Sequence, residues 1–357
     1  MTEPASGTED ESLALAERAG VHRIAVPTPF LVGRVNCYLI EDKPLTLIDT
    51  GPNSGKSLDV LAQGLAERGR RIEDLELIVI THQHMDHLGL LEVVARRSGA
   101  EVAALGLLAP YLESFRNSAA ADDEFAQGVM HRHGVPAELV TALGLVGEAY
   151  RAFGSSGEVT RRLREGDTLE LRDRTLRAFH RPGHSPSDTI FLDEQQRMLF
   201  AGDHLLANIS SNPIVSKPLP RWGAEDAGAD PGPVERPPAL LNYMDSMRAT
   251  REMEAELVLT GHGEPITDHV ALIDRRLRMH QRRAEKMLRM LAGRPLNAYE
   301  LALQMWGNVA VTQAFLTISE VLGHMDMLIR DGVVHELDDG ELSRFQALGA
   351  GARPTSP

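Results

Sequence analysis

Seven residues, Thr81-His82-Gln83-His84-Met85-Asp86-His87, follow directly on an apolar, β-branched run from Leu75 to Ile80. The chain has only 14 histidines in 357 residues, so three imidazoles and a carboxylate in six positions are not background. In extended backbone alternate side chains point the same way. His82 and His84 can therefore converge on one cation, while a turn at Met85 redirects Asp86 and His87 toward a second. A fold that uses this string must hold it at the end of a buried strand and bring further donors to it. Three other strand ends offer them: Pro182-Gly183-His184-Ser185, Phe200-Ala201-Gly202-Asp203-His204 and Leu259-Thr260-Gly261-His262-Gly263. Each sets a His or Asp in a glycine-containing turn, where a side chain can project from a rigid sheet edge into a shared pocket.

The surrounding pattern is of mixed α/β type. Strands are expected at His22 to Val26, Val35 to Glu41 and Pro44 to Asp49, the last two joined through Asp42-Lys43, then at Leu75 to Ile80 and Ala100 to Ala104. Apolar residues at helical spacing place helices over Ser57 to Arg68 and Leu88 to Arg97. From about 107 to 164 the chain reads as helical pieces, an insertion over the sheet. Strand signals return at Thr168 to Leu171, Thr175 to His180, Thr189 to Asp193, Arg197 to Ala201 and Leu257 to Thr260. Residues 213–238 concentrate proline and glycine and read as a long irregular loop, a lid or a plain crossover. Residues 1–20 read as a flexible tail with a short helix near Leu13 to Ala19, and residues 348–357 as another tail. Within 266–347 the order is a long helix from Asp268 to Leu291, helices at Ala298 to Trp306 and Thr312 to Asp331, and a hairpin with an Asp-Gly turn. That is the order of a winged-helix unit, so residues 21–265 form one domain and residues 266–347 a second.

Composition narrows the function. Lys and Arg number 37 against 51 Asp and Glu, a net charge of -14, which makes nucleic acid an unlikely partner. Cys37 is the one cysteine, so no internal disulfide forms, and no apolar run approaches the roughly 18 residues of a membrane span. The N-terminal segment shows no signal-peptide pattern. A cytoplasmic protein that does not enter membranes is expected.

The residues resemble the metallo-β-lactamase superfamily in its dinuclear hydrolase branch, over Val21 to about Pro265. Asp49 in Leu47-Ile48-Asp49-Thr50-Gly51 matches the first motif, His82 to His87 the second, His184 the third, Asp203 the fourth and His262 the fifth. The resemblance implies an αββα sandwich with the site along one edge. It also implies one cation site of His82, His84 and His184, a second of Asp86, His87 and His262, and Asp203 bridging both. Asp49 would orient the ligand loop from behind. Two divalent ions about 3.5–4 Å apart, zinc first and manganese, iron or cobalt next, would share a hydroxide that attacks the substrate, with Asp203 taking up its proton. On this resemblance Asp203, Asp86 and Asp49 are the catalytic carboxylates.

Within the family the details discriminate. The β-lactamases lack the bridging carboxylate that Asp203 supplies, and acyl-homoserine lactonases carry a tyrosine where this chain has Leu206. Glyoxalase II enzymes share the ligand set, but Asp203 to Asn212 does not match their following loop. Diiron flavoproteins have Glu where His84 stands, and RNase Z-like enzymes share the ligands but act on RNA. The expected activity is hydrolysis of a small ester, thioester or lactone. Phosphodiester or phosphotriester hydrolysis is the alternative, and a nucleic-acid-binding winged-helix protein with a vestigial hydrolase fold a third.

Other residues carry weaker expectations. His204, beside the bridging position, is a candidate substrate contact. His131 and His133 repeat the H-x-H spacing without carboxylate company and read as surface, His180 as a structural hydrogen-bonder, and Cys37 as core. Between Arg275 and Arg294 stand eight basic residues and one acid, Glu285. They read as a solvated face that pairs with the acidic body of the same or a neighbouring subunit, the C-terminal unit serving for packing or homodimerisation.

Overall fold

A computed structural model describes residues 6–219 and 236–348, with side chains from residue 11 onward. Two sheets face each other. The first runs in sequence order through β1 (Val21–Val26), β2 (Val35–Ile40), β3 (Thr46–Ile48), β4 (Leu77–Val79), β5 (Glu101–Leu105) and β6 (Arg161–Leu163). The second is ordered β11 (Leu257–Thr260), β10 (Met198–Gly202), β9 (Thr189–Asp193), β8 (Thr175–His180) and β7 (Thr168–Glu170). In each sheet a parallel step, β3 to β4 and β10 to β11, leaves carboxyl ends at one edge.

The central strands β2, β3, β4, β10 and β11 are largely apolar because both of their faces are buried, and their alternation sorts side chains between layers. Tyr38 and Ile40 of β2, with Leu77 and Val79 of β4, meet Leu176, Phe191, Phe200 and Leu259 between the sheets. Cys37, Leu39 and Ile78 point the other way, under α2 (Gly55–Ala66) and α4 (Leu91–Ser98), which contribute Leu61, Leu65, Leu91 and Val94. Ser54 caps α2 by accepting the Ser57 amide at 3.1 Å. Outside the second sheet, α8 (Ala239–Arg251), α9 (His269–Met290) and α12 (Ala314–Arg330) bury Tyr243, Met247, Ile273, Met287, Val321 and Met325 against Leu199 and Val258. The result is helix, sheet, sheet, helix, with α10 (Ala298–Trp306), α11 (Val309–Thr312) and a hairpin of β12 (Val334–Asp338) and β13 (Ser343–Ala347) completing the C-terminal region.

Several boundaries differ from the sequence reading. Residues 6–18 form a helix, α1 (Ser6–Arg18), and not a flexible tail: Ala16 is buried beside Val21 and Tyr38. Residues 1–5 and 349–357, part of the expected tails, lie outside the described residues, as does 220–235 of the Pro-rich loop. The described ends of that loop are tied down. The Val215 amide donates to Ser319 Oγ at 3.2 Å, and Arg236 forms a two-pronged ion pair with Asp326. The helical insertion consists of α5 (Ala109–Glu113), α6 (Phe115–Arg132) and α7 (Ala137–Tyr150), and its last stretch is β6, paired in parallel with β5. No helix among the described residues is long and apolar enough to cross a membrane.

Candidate metal centre

The His-rich string leaves β4 at Ile80 and turns into a four-residue helix, α3 (Met85–Leu88). The extended stretch aims His82 and His84 one way, and the helical turn swings Asp86 and His87 to the other side. His184 arrives from the β8–β9 turn, Asp203 from the end of β10 and His262 from the end of β11.

These seven side chains meet. His84 Nδ1 lies 3.1 Å from His82 Nε2 and 2.9 Å from His184 Nε2. On the other side His262 Nε2 lies 3.3 Å from an Asp86 oxygen. Asp203 stands between, 3.4 Å from His87 Nε2, 3.5 Å from His184 Nε2 and 3.5 Å from His262 Nε2. Ligand atoms of His82, His84 and His184 form one compact group, and those of Asp86, His87 and His262 another.

The donor set fits divalent cations. His87 Nε2, His262 Nε2 and Asp203 Oδ1 are fully enclosed and have no hydrogen-bond partner, a cost that buried polar atoms rarely bear. Behind four of the five rings a second group holds the remote nitrogen: Thr81 Oγ1 for His82 at 3.0 Å, Asp49 Oδ2 for His87 at 2.7 Å, the Asn212 carbonyl for His184 at 3.0 Å and the Arg34 carbonyl for His262 at 2.8 Å. That fixes which nitrogen each of these four rings presents.

Charge follows the same logic. Burial first, and neighbouring His184 second, pushes His84 down to about 3, and burial with His87 and His84 lowers His82, so both are neutral donors. Burial pushes Asp203 up, but His262 and His87 outweigh it and hold the carboxylate well below its usual range. Asp86 is held down in the same manner by His262.

The loops are clamped to one another by Asp49 of the first motif and by Ser187, Asp188 and Asn212, which carry no motif in the sequence. Asp49, at φ 56, accepts both the Thr81 amide at 2.9 Å and the Thr81 hydroxyl at 2.8 Å. Ser187 Oγ accepts from the Gln83 amide at 3.1 Å and donates to Gln83 Oε1 at 2.7 Å, locking the second loop to the third. Asp188 closes the His184 turn by accepting from the Ser185 amide and hydroxyl at 2.9 and 2.7 Å. Asn212 donates from its side chain to the Leu316 carbonyl at 2.9 Å, so α12 reaches the ring of His184 through one residue. Polar Ser, Asn and Asp in turns give no signal that separates such roles from ordinary loop chemistry.

Two expectations are corrected. His204 does not face the site: it is fully buried, its Nε2 lies 2.9 Å from Thr250 Oγ1, and burial drives it down to about 3. Adjacent residues of the turn after β10 point to opposite sides, so Asp203 enters the site and His204 enters the core under α8. His133 is not surface: it is buried and stacked on Phe345 at 6.0 Å, while His131 is exposed. His180 bonds the Pro186 carbonyl at 2.9 Å and Cys37 is core, as expected. A further buried trio, His280, Glu320 and His324, joins α9 to α12. Arg283 pairs with Glu320 and His324 Nδ1 donates to the Glu320 carbonyl at 2.6 Å, so this trio is an ion-paired polar contact with a cation already in place.

A family model, "Metallo-beta-lactamase superfamily", matches residues 31–262. Among curated relatives, "Probable metallo-hydrolase YqjP" of Bacillus subtilis (strain 168) is 35% identical over 327 residues, which cover 91% of this chain and 97% of that protein. An "Atrochrysone carboxyl ACP thioesterase" of Aspergillus fumigatus is 23% identical over 330 residues, 90% of this chain but 60% of its own length. Among solved structures, a metallo-beta-lactamase family protein from Thermus thermophilus superposes with a TM-score of 0.74 at 25% identity, covering 92% of this chain and 99% of that one.

Proposed function

This chain belongs to the metallo-beta-lactamase superfamily, and on that premise we propose that it is a cytoplasmic hydrolase of acyl thioesters, working with two divalent cations, zinc first among them. His82, His84 and His184 would hold one cation, Asp86, His87 and His262 the other, and Asp203 would touch both. Cations held there supply Lewis acidity and lower the pKa of a water from about 15.7 toward 7. The chain's own groups do the rest. The Nδ1 partners keep the rings of His82, His87, His184 and His262 oriented, and the ionised Asp203 is placed to receive a proton. In the overall step water adds to the acyl carbon, the carbon–sulfur bond breaks, and an acid and a thiol leave.

The observation that carries the hydrolase reading is the trio of enclosed, unpartnered atoms, His87 Nε2, His262 Nε2 and Asp203 Oδ1, between two groups of facing ligands. The thioester, in preference to the ester or lactone, is supported by the thioesterase relative. A single buried cysteine and no disulfide support the cytoplasm. The C-terminal helices and hairpin support a winged-helix-like unit, with homodimerisation through it a further part of the reading.

Metal analysis of protein purified without chelator, with turnover of an acyl-coenzyme A, p-nitrophenyl acetate, butyrolactone and bis-p-nitrophenyl phosphate, tests the reading. About two cations per chain and fastest turnover of the thioester are expected. Preference for the phosphodiester would make this a phosphoesterase, and Asp203→Asn with full metal content and rate would remove the proposed centre.

A further inference from the structure

Helix α9 sorts its cations by face. Arg276 turns inward, its guanidinium 3.4 and 3.3 Å from the carbonyls of Leu206 and Ala207, and Arg283 pairs with Glu320. Arg275, Arg278, Arg282, Lys286 and Arg289 are exposed, and among the described residues none of them forms an ion pair. Glu285, the one acid between Arg275 and Arg294, pairs with none of them. At helical spacing the five cations share about 80° of the circumference and run roughly 21 Å along the axis. Like charges three and four residues apart repel, so this row weakens the isolated helix, and among the described residues the expected pairing with the protein's own acidic body is not seen.

We propose that this row docks an acidic carrier protein that delivers the acyl thioester, an inference that rests on the thioester reading above. Position supports it. Arg276, next to the first cation of the row, bonds carbonyls three and four residues beyond Asp203, so the row starts beside the segment that carries the proposed centre. Charge supports it as well. On a chain of net charge -14 a short row of cations suits a compact acidic partner, whereas a long phosphodiester running past the row would meet repulsion.

The test uses the full chain, zinc-loaded, with octanoyl thioesters of acyl carrier protein, coenzyme A and N-acetylcysteamine, in wild type and in the triple variant Arg278→Glu, Arg282→Glu, Lys286→Glu. For the wild type the carrier thioester should show the lowest KM, rising with salt. The variant should raise that KM about tenfold and flatten its salt dependence, while kcat and the N-acetylcysteamine thioester are unaffected. An equal rise for coenzyme A would mean that the row reads phosphate, and no change on the carrier would mean that it reads nothing; either overturns the proposal. If none of the thioesters is hydrolysed, the hydrolase reading fails, and fluorescence anisotropy with labelled carrier protein still decides the docking: binding lost in the variant supports it, and no binding by wild type overturns it. RNA bound by the wild type and released by the variant, with the carrier unbound, would assign the row to nucleic acid instead.

Discussion

His87 Nδ1 lies 2.7 Å from Asp49 Oδ2, and both side chains are sealed from solvent. The carboxylate of Asp49 thereby fixes the far nitrogen of a ring whose near nitrogen faces Asp203, and its remaining capacity is taken by Thr81. Asp49→Asn keeps the shape, and asparagine tolerates the left-handed φ of 56 at this position. It replaces one acceptor by a donor that faces the His87 or Thr81 donors. Metal affinity is expected to fall by about 10–100-fold with the circular dichroism unchanged. Competition with a chromophoric chelator measures it, and undiminished affinity would deny Asp49 its orienting role.

Asn212 joins two parts of the chain that the sequence places far apart. Its carbonyl holds His184 and its side chain holds Leu316 of α12. Asn212→Ala leaves the carbonyl but cuts the tie, so the loop is free to drift. The expected result is a stability loss of about 1 kcal/mol, one ordinary hydrogen bond, together with metal affinity lowered several-fold or more, about 10-fold at the upper end. Loss of stability in denaturant with metal affinity intact would make the contact mere packing.

The sandwich is legible in the chain because its central strands are buried on both faces and its ligands sit in turns at their ends. What is not legible depends on distant partners. His133 is buried by Phe345, more than two hundred residues later, and nothing local announces it. The opposite orientations of Asp203 and His204 follow from one turn's backbone. β6 is three residues long, with only Leu163 buried, and is a strand because β5 offers it an edge. For α8 the signal is present, since Leu240, Tyr243, Met244 and Met247 have helical spacing, but they follow directly on the Pro-rich loop, which masks where the helix begins.

His133 makes a pH prediction. Burial first, then Arg236 and Arg132, pushes it down to about 3, against about 6.5 for an unfolded histidine. Between those values the unfolded chain binds the extra proton. Its contribution to stability is therefore complete above about 6.5 and is lost as pH falls toward 3. His133→Gln cannot titrate. Relative to wild type it should gain about 1–2 kcal/mol on going from pH 7 to pH 5, read from urea midpoints of both proteins. A gap that stays constant with pH would mean that the imidazole reaches solvent in the folded protein.

Gly261 separates space from backbone freedom at the centre itself. A Cβ there would sit 2.2 Å from Asp203 Oδ1 and 2.8 Å from His87 Cε1. The backbone cannot retreat, since the Gly261 amide donates to the Gly202 carbonyl at 2.6 Å and its carbonyl accepts from the Asn36 amide at 2.7 Å. Gly263, two residues on, has open space where a methyl group would stand but a φ of +72. Gly263→Ala should therefore cost about 1–2 kcal/mol of backbone strain and leave metal content alone. Gly261→Ala should cost about 1–3 kcal/mol and also displace Asp203 and His87, emptying the centre. Metal content by atomic emission, set beside denaturant midpoints for the pair, distinguishes the two. If both variants retain their metal, the packing of Gly261 against Asp203 is not what shapes the site.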